Sequence, residues 1–388
     1  MGLPKIIFNI AAAGLSLATA DIQKVPGLVL TGATVSGKIT IGQSKQVFSL
    51  LEAEAIGITE AENPFAYKHV KAFYDYAGNG AELWVMLISD ATTVTTAVDK
   101  TGALVAKLLN DANGRIRVLG VLRESTGTET ITGGIDGDIT TAVVKAQELA
   151  DDFADKYFPV RVILSGSKFS GSAQDLTDYS TSDFNRVSIL LSNTDGEPEA
   201  SIGLALGRLA STPVQRNIGR VADGAVESLN AYFTDGQTVG SKINSWESIH
   251  GKGYIFLRNF VGKAGFFFSD DPTLTSANDD FKTLANGFVM DKAVLVSYAT
   301  LIEKLNDEVP ISETGNIQPA IVKSWQNDVE NAVNTLMTSR GEISNFKATI
   351  DPNQDIVSTG ELVIQLQVQP VGYAKTINVN IGFTTQIQ

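Results

Sequence analysis

From residue 375 to residue 384 the side chains alternate. Ile377, Val379, Ile381 and Phe383 fall on one side, and Thr376, Asn378, Asn380 and Gly382 on the other. This period of two is the signature of a strand with one buried face. The stretch 361–369 repeats it: Leu362, Ile364, Leu366 and Val368 alternate with Val363, Gln365, Gln367 and Gln369. A third strand is predicted at 343–350. Ahead of these lie two long helical periods, 279–307 and 318–339, and a hairpin pattern, "GYIFLRNFVGKAGFFFSD", turning at Val261-Gly262-Lys263. Strand runs and helix runs are separated here, which predicts an α+β domain over 245–374.

Upstream the pattern changes. "WVMLI", "VLGVL", "VRVIL" and "VSILL" are nearly unbroken apolar runs, as in strands covered on both faces. Helical periods separate them. The first is opened by Asn63, a capping residue, and Pro64; it carries Phe65, His69, Val70, Phe73 and Ala77 on one face and ends at Gly78. Others are predicted at 94–109, at 138–153 and from Pro198 to 209. Alternating strands and helices predict an α/β domain over 27–244, built on a doubly wound, mainly parallel sheet. At its start, "VPGLVLTGATVSGKITIGQSKQVFSL" predicts a hairpin-like pair of short strands.

The N-terminal segment supports two readings. Lys5, an apolar stretch from Ile6 and Ala18-Thr19-Ala20 fit a secretory signal. A single Lys and the polar or small Asn9, Gly14 and Ser16 weaken that reading. In the other, Ile6, Phe8 and Ile10 share one face of a strand at 5–10, followed by a small-residue linker. The chain then has strand-like arms at both ends, 1–26 and 375–388. Unpaired apolar edges invite pairing with another chain, and ten extended residues reach about 33 Å.

Composition narrows the function. The 388 residues carry a net charge of −13, which argues against nucleic acid as a partner, because binding phosphates needs clustered Lys and Arg. There is no cysteine, and His69 and His250 are the two histidines. No apolar run is long enough to span a bilayer, so direct membrane insertion is not expected. "GATVSGKIT" approaches a P-loop, but Ile39 stands where Ser or Thr should meet magnesium and a strand pattern follows instead of a helix. Ser165-Gly166-Ser167-Lys168 and Lys100-Thr101-Gly102 match two elements of penicillin-recognising enzymes in the wrong order, and the third element is missing. His69 reads as a packed helix residue and His250 as a turn residue. The pairs Asp151-Asp152, Asp270-Asp271 and Asp279-Asp280 read as helix-end and turn carboxylates, with a divalent ion conceivable at Asp270-Asp271. Nothing assembles a catalytic, cofactor or metal site.

Several segments, in order, carry a family resemblance. They are "KQVFSLLEAEAIGI", "AYKHVKAFYDYAGNGAELWVMLI", "GFFFSDDPTLTSANDDFKTLANGFVMDKA" and, most closely, "ATIDPNQDIVSTGELVIQLQVQPVGYAKTINVNIGFTT", with Pro370, Gly372 and Ala374 marking the link to the last strand. The chain resembles the contractile tail sheath proteins of phages and phage-like injection particles. The resemblance implies a non-enzymatic subunit without a cofactor, assembled in the host cytoplasm as a homo-oligomer of stacked rings or a helical sheath. Its implied partners are a tail tube protein and the baseplate and tail terminator proteins. It also implies strand exchange: an N-arm of Ile6, Phe8 and Ile10, a C-arm of Ile377, Val379, Ile381 and Phe383, and a receiving strand of Leu362, Ile364, Leu366 and Val368 on an adjacent subunit. Helix 318–339 would face the tube. The competing readings are an α/β nucleotide- or substrate-binding enzyme and another self-assembling surface protein.

Overall fold

The computed structural model describes residues 24–313, 315–379 and 381. The apolar runs become a seven-stranded sheet. Its strands are β1 (Pro26–Thr31), β2 (Ser44–Val47), β3 (Leu83–Ile88), β4 (Val118–Leu122), β5 (Arg161–Ser165), β6 (Val187–Leu190) and β7 (Tyr254–Ile255), in the spatial order β7-β6-β5-β4-β1-β3-β2. All neighbours are parallel except β2 with β3. The first two strands are therefore not a hairpin. β1 is buried along its whole length, and both its edges are taken by parallel partners, so β2 pairs on the far side of β3. The sheet also runs past residue 244: β7 belongs to it, and the division expected at 244/245 cuts through this layer.

Helices cover the sheet. α1 (Pro64–Ala77) and α3 (Ile202–Ala210) pack directly on each other. Gly203 and Gly207, one turn apart, make this possible. A Cβ on Gly203 would lie 2.0 Å from the His69 carbonyl oxygen, and one on Gly207 would lie 2.6 Å from that of Phe73. Asn63 does not cap α1 with its side chain. Its carboxamide instead fastens the preceding loops, accepting from the Ala33 amide at 2.6 Å and donating to the Gly57 carbonyl at 2.9 Å. The helix predicted at 94–109 is two short helices, Val94–Ala97 and Val105–Asp111. Asp99 breaks it by accepting from the Thr101 amide and hydroxyl, a local turn that competes with helix. The first of these helices docks on α2 (Gly137–Asp155), where the Asp138 carboxylate accepts from the amides of Val94 and Thr95.

The hairpin expected around Val261 forms as β8 (Leu257–Phe260) and β9 (Lys263–Phe268). The long helices follow as α4 (Leu284–Leu301) and α5 (Pro319–Leu336). α4 is buried on nearly every side, as expected of a helix apolar all round. It fastens the sheet layer to the C-terminal elements. Asp291 on α4 takes Arg161 at 3.0 Å and Arg186 at 3.3 Å, and the next residue, Lys292, takes Glu342 at 2.7 Å. Gly287 leaves room for this contact, since a Cβ there would lie 1.8 Å from the Arg161 guanidinium carbon. Burial opposes the charge on Asp291, but the two guanidinium groups hold its carboxyl below the usual range.

Two expectations follow. Asp291→Ala leaves two arginines buried without their counter-charge, and urea unfolding should show a loss of about 3–5 kcal/mol; an unchanged midpoint would contradict the clamp. His69 is buried against α3, its Nε2 has no hydrogen-bond partner, and burial, then the charge of Lys68, lowers its pKa to about 3. The unfolded chain binds this proton below about pH 6.5 and the folded chain does not, so stability should fall as the pH drops from 6.5 towards 3. The slope should be shallower in His69→Leu, and parallel pH–stability curves would refute it.

Candidate assembly interface

The last strands form their own two-stranded sheet, β10 (Ile343–Ile350) with β11 (Ile364–Pro370), antiparallel, pairing Phe346 with Val368, Ala348 with Leu366 and Ile350 with Ile364. On the inner face Phe346, Ala348 and Ile350 are buried against α5, which presents Trp325, Val329 and Val333. Ile364, Leu366 and Val368 share that face half-buried, with Gln365, Gln367 and Gln369 exposed on the other. Leu362 lies just before β11 and joins the apolar cluster of Trp325 and Ile350.

The two edges of this sheet differ. On β10, the Ala348 amide donates to Glu330 Oε1 at 2.9 Å and its carbonyl accepts from Gln326 Nε2 at 3.3 Å, both side chains coming from α5. The β10 edge is therefore occupied. The same bonds fix the ladder's phase. Ala348 turns its backbone away from β11, so its partner Leu366 also faces outward, and with it Ile364 and Val368 two residues either side. No described residue takes these outward groups. Beyond the last pair, Ile350 with Ile364, the carboxamide of Gln354 takes the backbone of Val363 on the β10 side, accepting from its amide at 2.6 Å and donating to its carbonyl at 2.9 Å. Among the described residues, β11 therefore presents an unpaired edge of three alternate residues.

Of the strand predicted at 375–384, the described residues 375–379 and 381 join no strand. Ile377 and Val379 are 77% exposed and Ile381 is 95% exposed. The link before them is tied to other elements. The Tyr373 hydroxyl donates to the Gln215 carbonyl, and Lys375 Nζ donates to Asp270, so the root is fastened to other elements of the subunit. Ile6, Phe8, Ile10 and Phe383 lie outside the described residues.

The other candidates resolve into structural contacts. Val35 bridges Ile39 in a tight turn with Gly37 at a φ of +74°, and no helix follows, so the P-loop-like segment has no phosphate cradle. Lys168 pairs with Glu129 at 2.9 Å, while the Ser165 and Ser167 hydroxyls bond to each other. His250 lies 3.1 Å from Asp270. Among the described residues, no group of three or more His, Asp or Glu side chains could hold a metal ion, and no helix is long and apolar enough to cross a membrane. Sequence reasoning missed Gln326 and Glu330, whose polar side chains occupy the β10 edge; polar residues on an amphipathic helix give no signal of that role.

This fold is the one seen in sheath subunits of contractile injection systems. The helical sheath of the anti-feeding prophage in its contracted state matches over 100% of both chains with a TM-score of 0.64 and 14% identity. The sheath complex of the extracellular contractile injection system PVC, also contracted, matches over 100% of this chain and 98% of that one with a TM-score of 0.60 and 14% identity. The sheath tail protein Lin1278 of Listeria innocua matches over 91% and 96% with a TM-score of 0.50 and 11% identity. No curated protein sequence matches significantly. The chain belongs to the DUF2586 family: the N-terminal domain of that family matches residues 3–272 and its C-terminal domain residues 280–388.

Proposed function

We propose that this protein is a tail sheath subunit that polymerises around a tail tube and contracts to drive the tube through a target envelope. One observation carries the reading: the subunit has an open strand edge at Ile364, Leu366 and Val368 and, separately, an exposed tail whose apolar residues repeat with the same spacing of two. Each supplies what the other lacks. The C-arm of one subunit, Ile377, Val379, Ile381 and Phe383, adds to β11 of a neighbour and extends its half-buried face. The N-arm of Ile6, Phe8 and Ile10 joins the same mesh. Between the arms, 1–26 and 375–388, lie a body in which travel along the sheet reverses at β1, as in a doubly wound fold, and the C-terminal unit that carries the receiving edge.

A single arm is marginal. Each buried apolar side chain contributes about 1.5–3 kcal/mol, while each ordered residue costs about 1–2 kcal/mol of backbone entropy. Repetition along a polymer makes the exchange persist. The role is mechanical and non-enzymatic: energy stored in bistable subunit interfaces does the work. The partners are further copies of the chain, a tube protein, and the baseplate and terminator proteins of a phage-like particle assembled in the host cytoplasm. Helix α5 is our candidate for the tube-facing surface.

Negative-stain microscopy of the purified full-length protein should show tubes or rings. Deleting 375–388, or Val379→Asp, should abolish them while leaving the thermal melt unchanged; tubes of normal length from either variant would sink the arm assignment. Hydrogen exchange gives a finer check. The amides of Ile364, Leu366 and Val368 should exchange fast in the free subunit and slowly in the polymer, whereas those of Gln365 and Gln367 should be slow in both. Equal behaviour of the two sets would refute the open edge.

A further inference from the structure

β11 and the C-arm match on their polar faces as well as on their apolar ones. From residue 362 to residue 388 the chain has one charged side chain, Lys375. On the exposed face of β11, Gln365, Gln367 and Gln369 stand opposite Thr349, Lys347 and Asn345 of β10. Among the described residues no hydrogen bond holds these three carboxamides. On the arm, Thr376 and Asn378 are exposed, and Asn380 and Gly382 continue their row in the sequence. Apolar spacing alone leaves the register open. Both strands repeat every two residues, so a slip by two keeps the apolar side chains on the inner face.

The polar row and Lys375 remove this degeneracy. Set the arm antiparallel to β11 with Val379 opposite Leu366. Ile377 then meets Val368, and Ile381 meets Ile364. On the other face Asn380 meets Gln365, Asn378 meets Gln367 and Thr376 meets Gln369, while Lys375 falls past the row, level with Pro370. An antiparallel slip by two sets Gly382 against Gln365 in one direction and brings Lys375 beside Val368 on the apolar face in the other. A parallel arm that gives all three glutamines a polar partner brings Lys375 beside Ile364, and one that spares Lys375 sets Gly382 against a glutamine. Glycine offers no side-chain partner, and an ammonium on the apolar face loses its water without compensation. Carboxamides both donate and accept, so Gln and Asn bond across strands in either sense. We propose that the C-arm of one subunit runs antiparallel to β11 of its neighbour with Val379 opposite Leu366, and that the uncharged polar pairs set this register. The outward N–H and C=O groups of Ile364, Leu366 and Val368 are then exchanged with those of Ile381, Val379 and Ile377. This inference rests on the arm reading above and adds its direction and register.

The chain has no cysteine, so cysteines placed on the polar row report the register. Single-cysteine variants of the full-length protein are mixed in pairs with an excess of the natural protein, assembled and oxidised, and covalent dimers are counted on a denaturing gel. Opposite residues on this row lie about 4.5 Å apart between Cα atoms, within reach of a disulfide; a residue four places further along lies about 13 Å away. Dimers should form between Gln365→Cys and Asn380→Cys, and between Gln369→Cys and Thr376→Cys. They should not form between Gln365→Cys and Thr376→Cys, or between Gln369→Cys and Asn380→Cys. Adding Gln365→Ala and Gln367→Ala to the Gln369→Cys chain should lower its yield with Thr376→Cys roughly threefold and raise slipped links to Asn378→Cys. The reversed pattern of dimers would overturn the proposed direction and leave the arm reading standing. An unchanged yield with the two alanines would overturn the polar register. Tubes in which none of the four pairs links would bring down the arm reading as well.

Discussion

The functional account turns on the backbone groups of Ile364, Leu366 and Val368. Hydrogen-bonding groups beside an apolar face are unstable company for solvent, and a strand edge of this kind is a template for another strand. The subunit disposes of its other edge. Glu330 and Gln326 reach from α5 to the Ala348 backbone and fill the place where a strand could add to β10. One edge is blocked, and among the described residues the other is left unpaired at three alternate residues. In the proposed sheath, that asymmetry would give strand addition a direction, as head-to-tail growth requires.

The rest of the molecule holds this edge and the tail apart. α4 ties the parallel sheet to the C-terminal elements through buried charges, Asp291 with Arg161 and Arg186, and Lys292 with Glu342. Such pairs contribute little net stability when intact, but they leave few alternative packings. The link 371–375 is fastened to Gln215 and Asp270. The described tail residues Ile377, Val379 and Ile381 stay exposed beyond this point.

Much of the fold was legible in the sequence. Unbroken apolar runs identified β3 to β6 as strands covered on both faces, and the strand predicted at about 343–350 is β10. Local periodicity carries no information about which strand lies beside which, so the placement of β1 beside β3 and β4, with β2 beyond, was out of reach. Asn63 and Asp99 misled for one reason: short polar side chains bond whichever backbone lies near, and only the fold decides whether that is a cap, a loop or a break. The alternation at 375–384 was read as a strand, and its described residues join no strand. The contact between Lys375 and Asp270 spans 105 positions and leaves no pattern in either neighbourhood.

The most direct test is a cryo-electron microscopy map of the assembled polymer that traces residues 364–388 of adjacent subunits. The account predicts that Ile377, Val379, Ile381 and Phe383 of one subunit lie in a strand hydrogen-bonded to Ile364, Leu366 and Val368 of another. A map in which each tail pairs with its own β11, or lies free while those backbone groups face solvent, would contradict it.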